Sequence, residues 1–367
     1  MNLQMGEREV SLHHPRRNPM HMNTPELTMV LHGPAVFDSG EAGWLMETIQ
    51  PSRSVVAGVI ARTAAEESNL AVEFCPEPPS AILSREQGDA FLVNRGRSEE
   101  SGYVFGDIVA GRMDPARGLI HIECSCETVW VWNGGDPGLA ERLAQRTGYM
   151  LRNAKSSLKT ETATRTVRGC IPGEPVFVNG IVVGKATAPS VIFRAPGGIL
   201  ECVAGIEPKA HGLEKLHRRG PLDLAKAWCK SGILRASCAR HAAGGLRKGR
   251  ILVIDHCGHE LYRRLDAEVC GVLSIGDDTT AVCAHICAHR GIPVFGVVDG
   301  DCDGIIEAAY APGSVVVEAI EERDDELGAE IAGSLDTMPH EWYPWTGKML
   351  RQLMGRARVV VDTRKHA

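Results

Sequence analysis

Residues 271–304 read GVLSIGDDTTAVCAHICAHRGIPVFGVVDGDCDG. The apolar runs GVLSI and IPVFGVV have the length of buried strands. TTAVCAHICAHRG between them reads as a helix, with Gly291 suited to the left-handed position that closes one. Strand, helix, strand is the unit of a parallel sheet. Both strands end in acid. Asp277 and Asp278 follow the first, and Asp299, Asp301 and Asp303 follow the second.

The same rhythm extends either way. GRILVID (249–255) is a strand ending in Asp255, SVVVEAIE (314–321) is a strand, and DDELGAEIAGSL (324–335) is a helix. PWTGKMLRQLMGRARVVV (344–361) reads as a helix and a strand. Near the start, LTMVLHGPAV (27–36), SVVAGVIARTAAEESNL (54–70), AVEFC (71–75) and DAFLVNRGRSEESGYVFGDIVAG (89–111) alternate strand with helix. Asp38 and Ser39 are placed to cap one helix, and Thr63-Ala-Ala-Glu66 fits a capping box at another. GLIHIECSCETVWVW (118–132) reads as one long strand that buries Cys124 and Cys126 with Ile122, Trp130 and Trp132. The middle differs. PVFVNGIVVGKAT (175–187), SVIFRAP and GILECVAG are short β runs, with Asn179-Gly180 as a two-residue hairpin turn. PLDLAKAWCKSGIL (221–234) reads as a connecting helix. The expected layout is a disordered extension over 1–25, a Rossmann-like parallel-sheet α/β domain over 26–150, a β-rich module with its connecting helix over 151–235, and an α/β domain over 236–367 with a C-terminal helical tail.

Composition limits the function classes. The chain has 367 residues, 44% of them hydrophobic and 23% charged, and a formal net charge of −6. An overall basic field for nucleic acid is absent. Basic runs at 217–219, at 240–248 and in RQLMGRAR leave a local patch open. Aromatics are 5% and glycines number 40, which favours tight α/β packing over a stacking surface for single strands. No apolar window has the length of a membrane span. The first 25 residues have no apolar core of a secretory signal, and Met5, Met20 and Met22 leave a later start open. The twelve cysteines are scattered, as expected of reduced thiols in a cytoplasmic protein.

The acids carry the chemistry. Ligands of open α/β sheets bind outside the carboxyl ends of the strands, so Asp255, Asp277, Asp278 and the 299–303 loop are placed to share one crevice. Two like charges 4 Å apart repel by about 4 kcal/mol at an effective dielectric near 20. A Mg²⁺ or Mn²⁺ ion reverses that sign and prefers such oxygen ligands. Asp299, Asp301 and Asp303 are the expected metal ligands, with Asp255 and Asp277 as catalytic acids acting directly or through water. The bland alternative is a helix cap at 277–278 and a turn at 303–304. An EF-hand is excluded, because the position of its bidentate glutamate holds Tyr310 and a strand arrives where a helix is required. In CAHICAH, Cys283 and Cys287 share one helix face while His285 and His289 share another, so one tetrahedral zinc cannot take all four; buried cysteines with surface histidines suffice. His32, Asp38, Arg62 and Thr63 are the expected substrate-binding residues at the ends of the first strands, the last two at a helix start that favours anions. Neither a P-loop nor a dinucleotide fingerprint is present.

Asp299-x-Asp301-x-x-Gly304 after a strand resembles the acidic motif of Toprim domains, with Asp255 where those domains usually carry a glutamate. The resemblance covers about 60 residues and implies a Toprim-like C-terminal domain and phosphodiester chemistry. HGPAVFDSG, AGVIARTAAEES, GDDTTAVCAHICAHRGIPVFGVVDGDCDG and DDELG together resemble an archaeal, methanogen-associated protein family of no settled activity. The expected function is a Mg²⁺-dependent enzyme for a phosphorylated small molecule or nucleotide. The alternatives are a non-catalytic ligand-binding or regulatory protein and, by the Toprim resemblance, a nucleic-acid-processing one. A homo-oligomer is compatible with the sequence, and no membrane partner is expected.

Overall fold

The computed structural model describes residues 26–364 apart from 158–163, 241, 243, 245, 246 and 337. The extension expected over 1–25 lies outside the described residues. Seven strands form the first sheet: β1 (Leu27–His32), β2 (Arg53–Ala57), β3 (Glu73–Cys75), β4 (Asp89–Asn94), β5 (Leu119–Glu123), β6 (Thr128–Trp132) and β7 (Met150–Ala154), in the order β3-β2-β1-β4-β5-β6-β7. The first five are mutually parallel and β6 reverses. Helices Glu41–Ile49, Val59–Ser68 and Pro137–Thr147 bury their apolar stripes on one face, around Leu31, Phe91 and Ile122. Helices Pro79–Arg85 and Glu99–Gly111 cover the other, around Leu92 and Trp132.

Residues 118–132 are not one strand. After Glu123 the chain makes a 3-10 turn over Cys124–Cys126, Glu127 takes a left-handed φ of 48°, and β6 pairs back on β5. Glu123 drives the reversal, because its carboxylate accepts the Ser125 N–H at 3.0 Å. Cys124 is buried, while Cys126 sits half-buried in the turn. The expected caps are also absent. Helix Val59–Ser68 starts behind Gly58 and helix Glu41–Ile49 behind Gly40, neither with a side-chain cap, so Thr63 lies inside its helix.

The middle module holds two small sheets. Strands β8 (Arg165–Arg168), β9 (Pro175–Val178), β10 (Ile181–Ala186), β11 (Ser190–Arg194), β12 (Glu201–Ala204), β13 (Ile206–Pro208) and β14 (Cys229–Ser231) pair as β13-β10-β9-β14 and β12-β11-β8. The Asn179-Gly180 turn joins β9 to β10 with φ of 49° and 83°, both left-handed as this two-residue turn requires. The helix expected at 221–234 is absent. Asp223 starts a single turn, after which β14 pairs with β9. The module's helix is Ala210–Arg218, which packs on β10.

In the third domain β15 (Lys248–Asp255), β16 (Val269–Ile275), β17 (Val294–Val298) and β18 (Val315–Ala319) lie side by side in parallel. Antiparallel β19 (His340–Glu341) and β20 (Ala357–Asp362) flank them. Helix Asp277–Ala288 covers one face, whose core also takes in Phe177 and Val182 of the middle module and Val59 and Ile60 of the first domain. Helices Asp324–Gly333 and Trp342–Gln352 cover the other. No described helix is long and apolar enough to cross a membrane.

Candidate metal centre

Four parallel strands bring four acidic pairs or loops to one edge. Asp255 and His256 follow β15, Asp277 and Asp278 open the helix after β16, the 299–303 loop follows β17, and Asp324 and Asp325 open the helix after β18. Asp277 and Asp278 do not cap their own helix, which starts behind Gly276 with no side-chain cap. They hold the loop. Asp277 Oδ2 accepts the N–H groups of Asp299 at 3.0 Å and Gly300 at 3.2 Å, and Asp278 Oδ1 accepts that of Asp303 at 3.2 Å.

Opposite the acids stands the middle module. Helix Ala210–Arg218 and the residue before it present Lys209, His211 and Lys215 to the loop. Lys209 Nζ donates to Asp303 Oδ2 at 2.7 Å and to the Asp301 carbonyl at 3.0 Å, and lies 3.3 Å from Asp301 Oδ2. Lys215 Nζ is 3.9 Å from the same oxygen, and His211 Nε2 is 3.6 Å from it. Arg218 pairs with Asp325 at 3.3 Å. Between the two walls is an open cleft. The Asn179-Gly180 hairpin reaches its rim through Gly180, Ile181 and Val182.

Among the described residues, three groups of side chains converge closely enough to hold an ion: His211, Asp299 and Asp301; Asp255, His256 and Asp325; and Asp277, Asp299 and Asp324, each with ligand atoms within 4.8 Å of one another. Charge separates them. Asp301 is already neutralised by Lys209 and Lys215, and Asp325 by Arg218. Among the described residues, Asp277 and Asp324 have no ion-pair partner, and Asp299 has only His211 at 3.8 Å. Asp324 is 1% exposed. Its Oδ1 accepts the Asp325 N–H, while its Oδ2 is buried with no partner, as is Asp299 Oδ1. An orphaned buried carboxylate oxygen is expensive, so this third group is where a cation gains most.

The titration directions agree. Burial pushes Asp277 up to about 6, with Asp299 and Asp301 adding to it. Burial pushes Asp278 up to about 7, reinforced by Asp303. Burial also raises Asp324, against the pull of Lys215 and with the push of Asp299 and Asp325. Asp301 goes the other way. Burial opposes its ionisation, but Lys215 and Lys209 hold it below the usual carboxylate range. Asp301 is thus paired with lysine, while Asp277 and Asp324 have no ion-pair partner among the described residues.

Of the residues singled out in the sequence, Asp277 and Asp299 meet in the uncompensated group. Asp301 and Asp303 bind lysine. Asp255 accepts from His256 Nδ1 at 2.5 Å and stands beside Asp325. Gly276 makes room for that imidazole: at its φ of +99°, a Cβ would stand 2.8 Å from His256 Nε2. The N-terminal four are held by protein groups. Arg235, 5% exposed, grips Asp38 through both oxygens and Glu67 at 2.6 Å. Thr63 is fully buried with its hydroxyl 2.9 Å from Tyr262. Arg62 binds Glu66 and lies between the rings of Phe74 and Tyr262. His32 stacks on Phe105. His285 is buried rather than on the surface. Its Nδ1 donates to the Glu307 carbonyl, which leaves Nε2 to accept from Arg235. Cys283 and Cys287 are buried in the core beside it, and none of the three ion-holding groups includes a cysteine.

The sequence reading passed over Lys209, His211, Lys215 and the Asp324-Asp325 pair. Signals existed for both. KAHGLEKLHRR places 211, 215 and 218–219 on one helical face. DDEL after β18 repeats the placement of DDTT after β16.

Residues 29–338 match the profile of a family described as uncharacterised proteins conserved in archaea, DUF2117. The chain belongs to that family. It is 31% identical over 339 residues to the uncharacterised protein MJ0065 of Methanocaldococcus jannaschii, an alignment covering 84% of this chain and 91% of that protein. No solved structure matches the chain.

Proposed function

We propose that this member of the archaeal family is a divalent-cation-dependent enzyme acting on the phosphoryl group of a small molecule or nucleotide. The observation that carries the reading is the buried, unpaired Asp324 Oδ2 beside Asp277 and Asp299, with Asp277 lining the same cleft as Lys209, His211 and Lys215. Mg²⁺ or Mn²⁺ takes one or two carboxylates and leaves its other positions to water and phosphate oxygens. Asp277, Asp299 and Asp324 supply the carboxylates. Lys209, His211 and Lys215 supply donors for the phosphate, and Asp255 with His256 flanks the reacting group. The metal neutralises charge developing on a phosphoryl oxygen. The likeness of the 299–304 loop and of Asp255 to Toprim domains adds support from a different direction, since those domains also handle phosphate esters.

The test is Mn²⁺ binding followed by turnover. Wild-type protein binds Mn²⁺ at micromolar to millimolar concentration, and Asp277→Asn with Asp299→Asn loses it. A panel of phosphomonoesters, nucleoside di- and triphosphates, and single- and double-stranded nucleic acid then identifies the substrate by metal-dependent phosphate release or strand cleavage. A wild-type protein that binds no divalent ion removes the reading. A second reading, a non-catalytic ligand-binding protein, is favoured by the ion pairs of Lys209 with Asp303 and Asp301, which tie the middle module to the acidic loop without any ligand. Metal binding with no turnover across the panel selects it.

A further inference from the structure

The imidazole of His256 is held in the way that a metal-ligating imidazole is held. His256 follows β15 at a left-handed φ of 48°, an uncommon conformation for a residue with a side chain. Its backbone is fixed on both sides. The N–H donates to the Ile275 carbonyl at 3.3 Å, and the carbonyl accepts from Arg219 at 2.9 Å. Arg219 also reaches the Asn179 carbonyl, at 3.5 Å, in the hairpin turn beside the cleft. The His256 ring lines the cleft. Its Nδ1 lies 2.5 Å from Asp255 Oδ1, which keeps the proton on Nδ1 and leaves Nε2 with its lone pair. A carboxylate behind the ring is the usual outer partner of a histidine that binds metal through its other nitrogen.

That lone pair lacks a donor. Nε2 is sealed from solvent and has no hydrogen-bond partner among the described residues. Asp325 Oδ1, another acceptor, stands 3.5 Å from it, longer than a hydrogen bond. The spacing suits an ion between them: two ligand atoms about 2.1 Å from one metal, at a tetrahedral angle, stand roughly 3.4 Å apart. Arg218 approaches the other carboxylate oxygen, Oδ2, at 3.3 Å and is shared with Glu214 at 2.8 Å, which leaves Oδ1 toward the imidazole. Asp325 directly follows Asp324. The first turn of the helix after β18 therefore gives one carboxylate to the Asp277–Asp299 group and the next to His256.

We propose that His256 Nε2 and Asp325 Oδ1 hold a second ion, a divalent metal of the zinc type, with Asp255 as the outer partner of the imidazole. Nitrogen ligation favours such ions, whereas the all-carboxylate group favours Mg²⁺ or Mn²⁺. The assignment rests on the reading of the cleft as a metal-dependent phosphoryl site and makes it a two-metal one, in which the ions steady the attacking and leaving oxygens.

The test loads the metal-free full chain with Zn²⁺, counts the bound ions by equilibrium dialysis and reads their ligands by zinc X-ray absorption. In Asp277→Asn with Asp299→Asn, which lacks the first site, one zinc remains, in a nitrogen and oxygen shell that includes one imidazole. His256→Asn weakens that ion by at least about a hundredfold and removes the imidazole signature. Asparagine tolerates the left-handed backbone, so this variant keeps the wild-type circular dichroism and melting temperature in EDTA. Asp255→Asn weakens the ion by about 10–100-fold and keeps the imidazole, as loss of an outer partner does. His211→Asn changes neither. No zinc on the double variant, a sulfur shell at about 2.3 Å from capture by cysteine, or an imidazole signature that persists in His256→Asn and vanishes in His211→Asn each overturns the proposal. Wild-type protein that binds Mn²⁺ but shows none of the zinc signatures removes this inference alone. Zinc held through His256 in a wild type that takes no Mn²⁺ removes the reading of the first site and leaves this ion in place.

Discussion

Replacing Asp324 by asparagine gives the sharpest test of the metal centre, because it moves two quantities in opposite directions. The Asp324 carboxylate is 1% exposed and shares a space 4.8 Å wide with those of Asp277 and Asp299. At an effective dielectric near 20, one such pair repels by about 3.5 kcal/mol. Protonation relieves part of this, since Asp277 and Asp324 are held above their ordinary range. A net release of about 1–3 kcal/mol remains, or roughly 4–11 °C in melting temperature for the domain concerned. Asparagine keeps an oxygen for the Asp325 N–H, so that contact survives. In EDTA, Asp324→Asn therefore melts higher than wild type. With Mn²⁺ at about a hundredfold over its dissociation constant, the wild type gains about 2.7 kcal/mol and the variant gains little of it. Scanning calorimetry with and without Mn²⁺ reads both. A variant that melts lower in EDTA and keeps the full Mn²⁺ increment refutes the reasoning, since Asp324 is then a structural acceptor and the ion sits elsewhere.

Three further outcomes are expected. Asp277 and Asp278 have raised values in the folded, metal-free protein, so the stability they contribute is present at low pH and lost as pH rises through about 6 and 7. A metal must displace those protons, so Mn²⁺ affinity measured by electron paramagnetic resonance falls about tenfold between pH 7.5 and pH 5, and a pH-independent affinity contradicts the assignment. Lys209→Met leaves Mn²⁺ affinity equal to or above wild type but weakens inorganic phosphate on the Mn²⁺-loaded protein by roughly tenfold, read by phosphorus NMR relaxation. Arg235→Met strands the Asp38 and Glu67 carboxylates and costs about 3–5 kcal/mol in urea unfolding, of which Glu67→Gln restores part; an unchanged midpoint shows that the bridge from Arg235 to the first domain is not stabilising.

The sequence by itself determined the elements whose signals are local. Apolar runs of strand length marked β15 to β18 and β1, β2 and β4, and each acid could be assigned to the end of its strand. Asn179-Gly180 fixed a hairpin turn through its left-handed backbone alone. Local signals failed where pairing decided. The apolar run at 118–132 is a hairpin because Glu123 turns the chain, and 221–234 is no helix because β14 gains more by pairing with β9. Tertiary structure alone decided which acids share an ion. Asp277, Asp299 and Asp324 lie on three segments far apart in sequence, and parallel pairing of β16, β17 and β18 brings them together. It also decided which acids are spent, since Lys209 and Lys215 arrive from another module to neutralise Asp301 and Asp303. Charge compensation depends on distances between segments remote in sequence, and a linear pattern does not contain those distances.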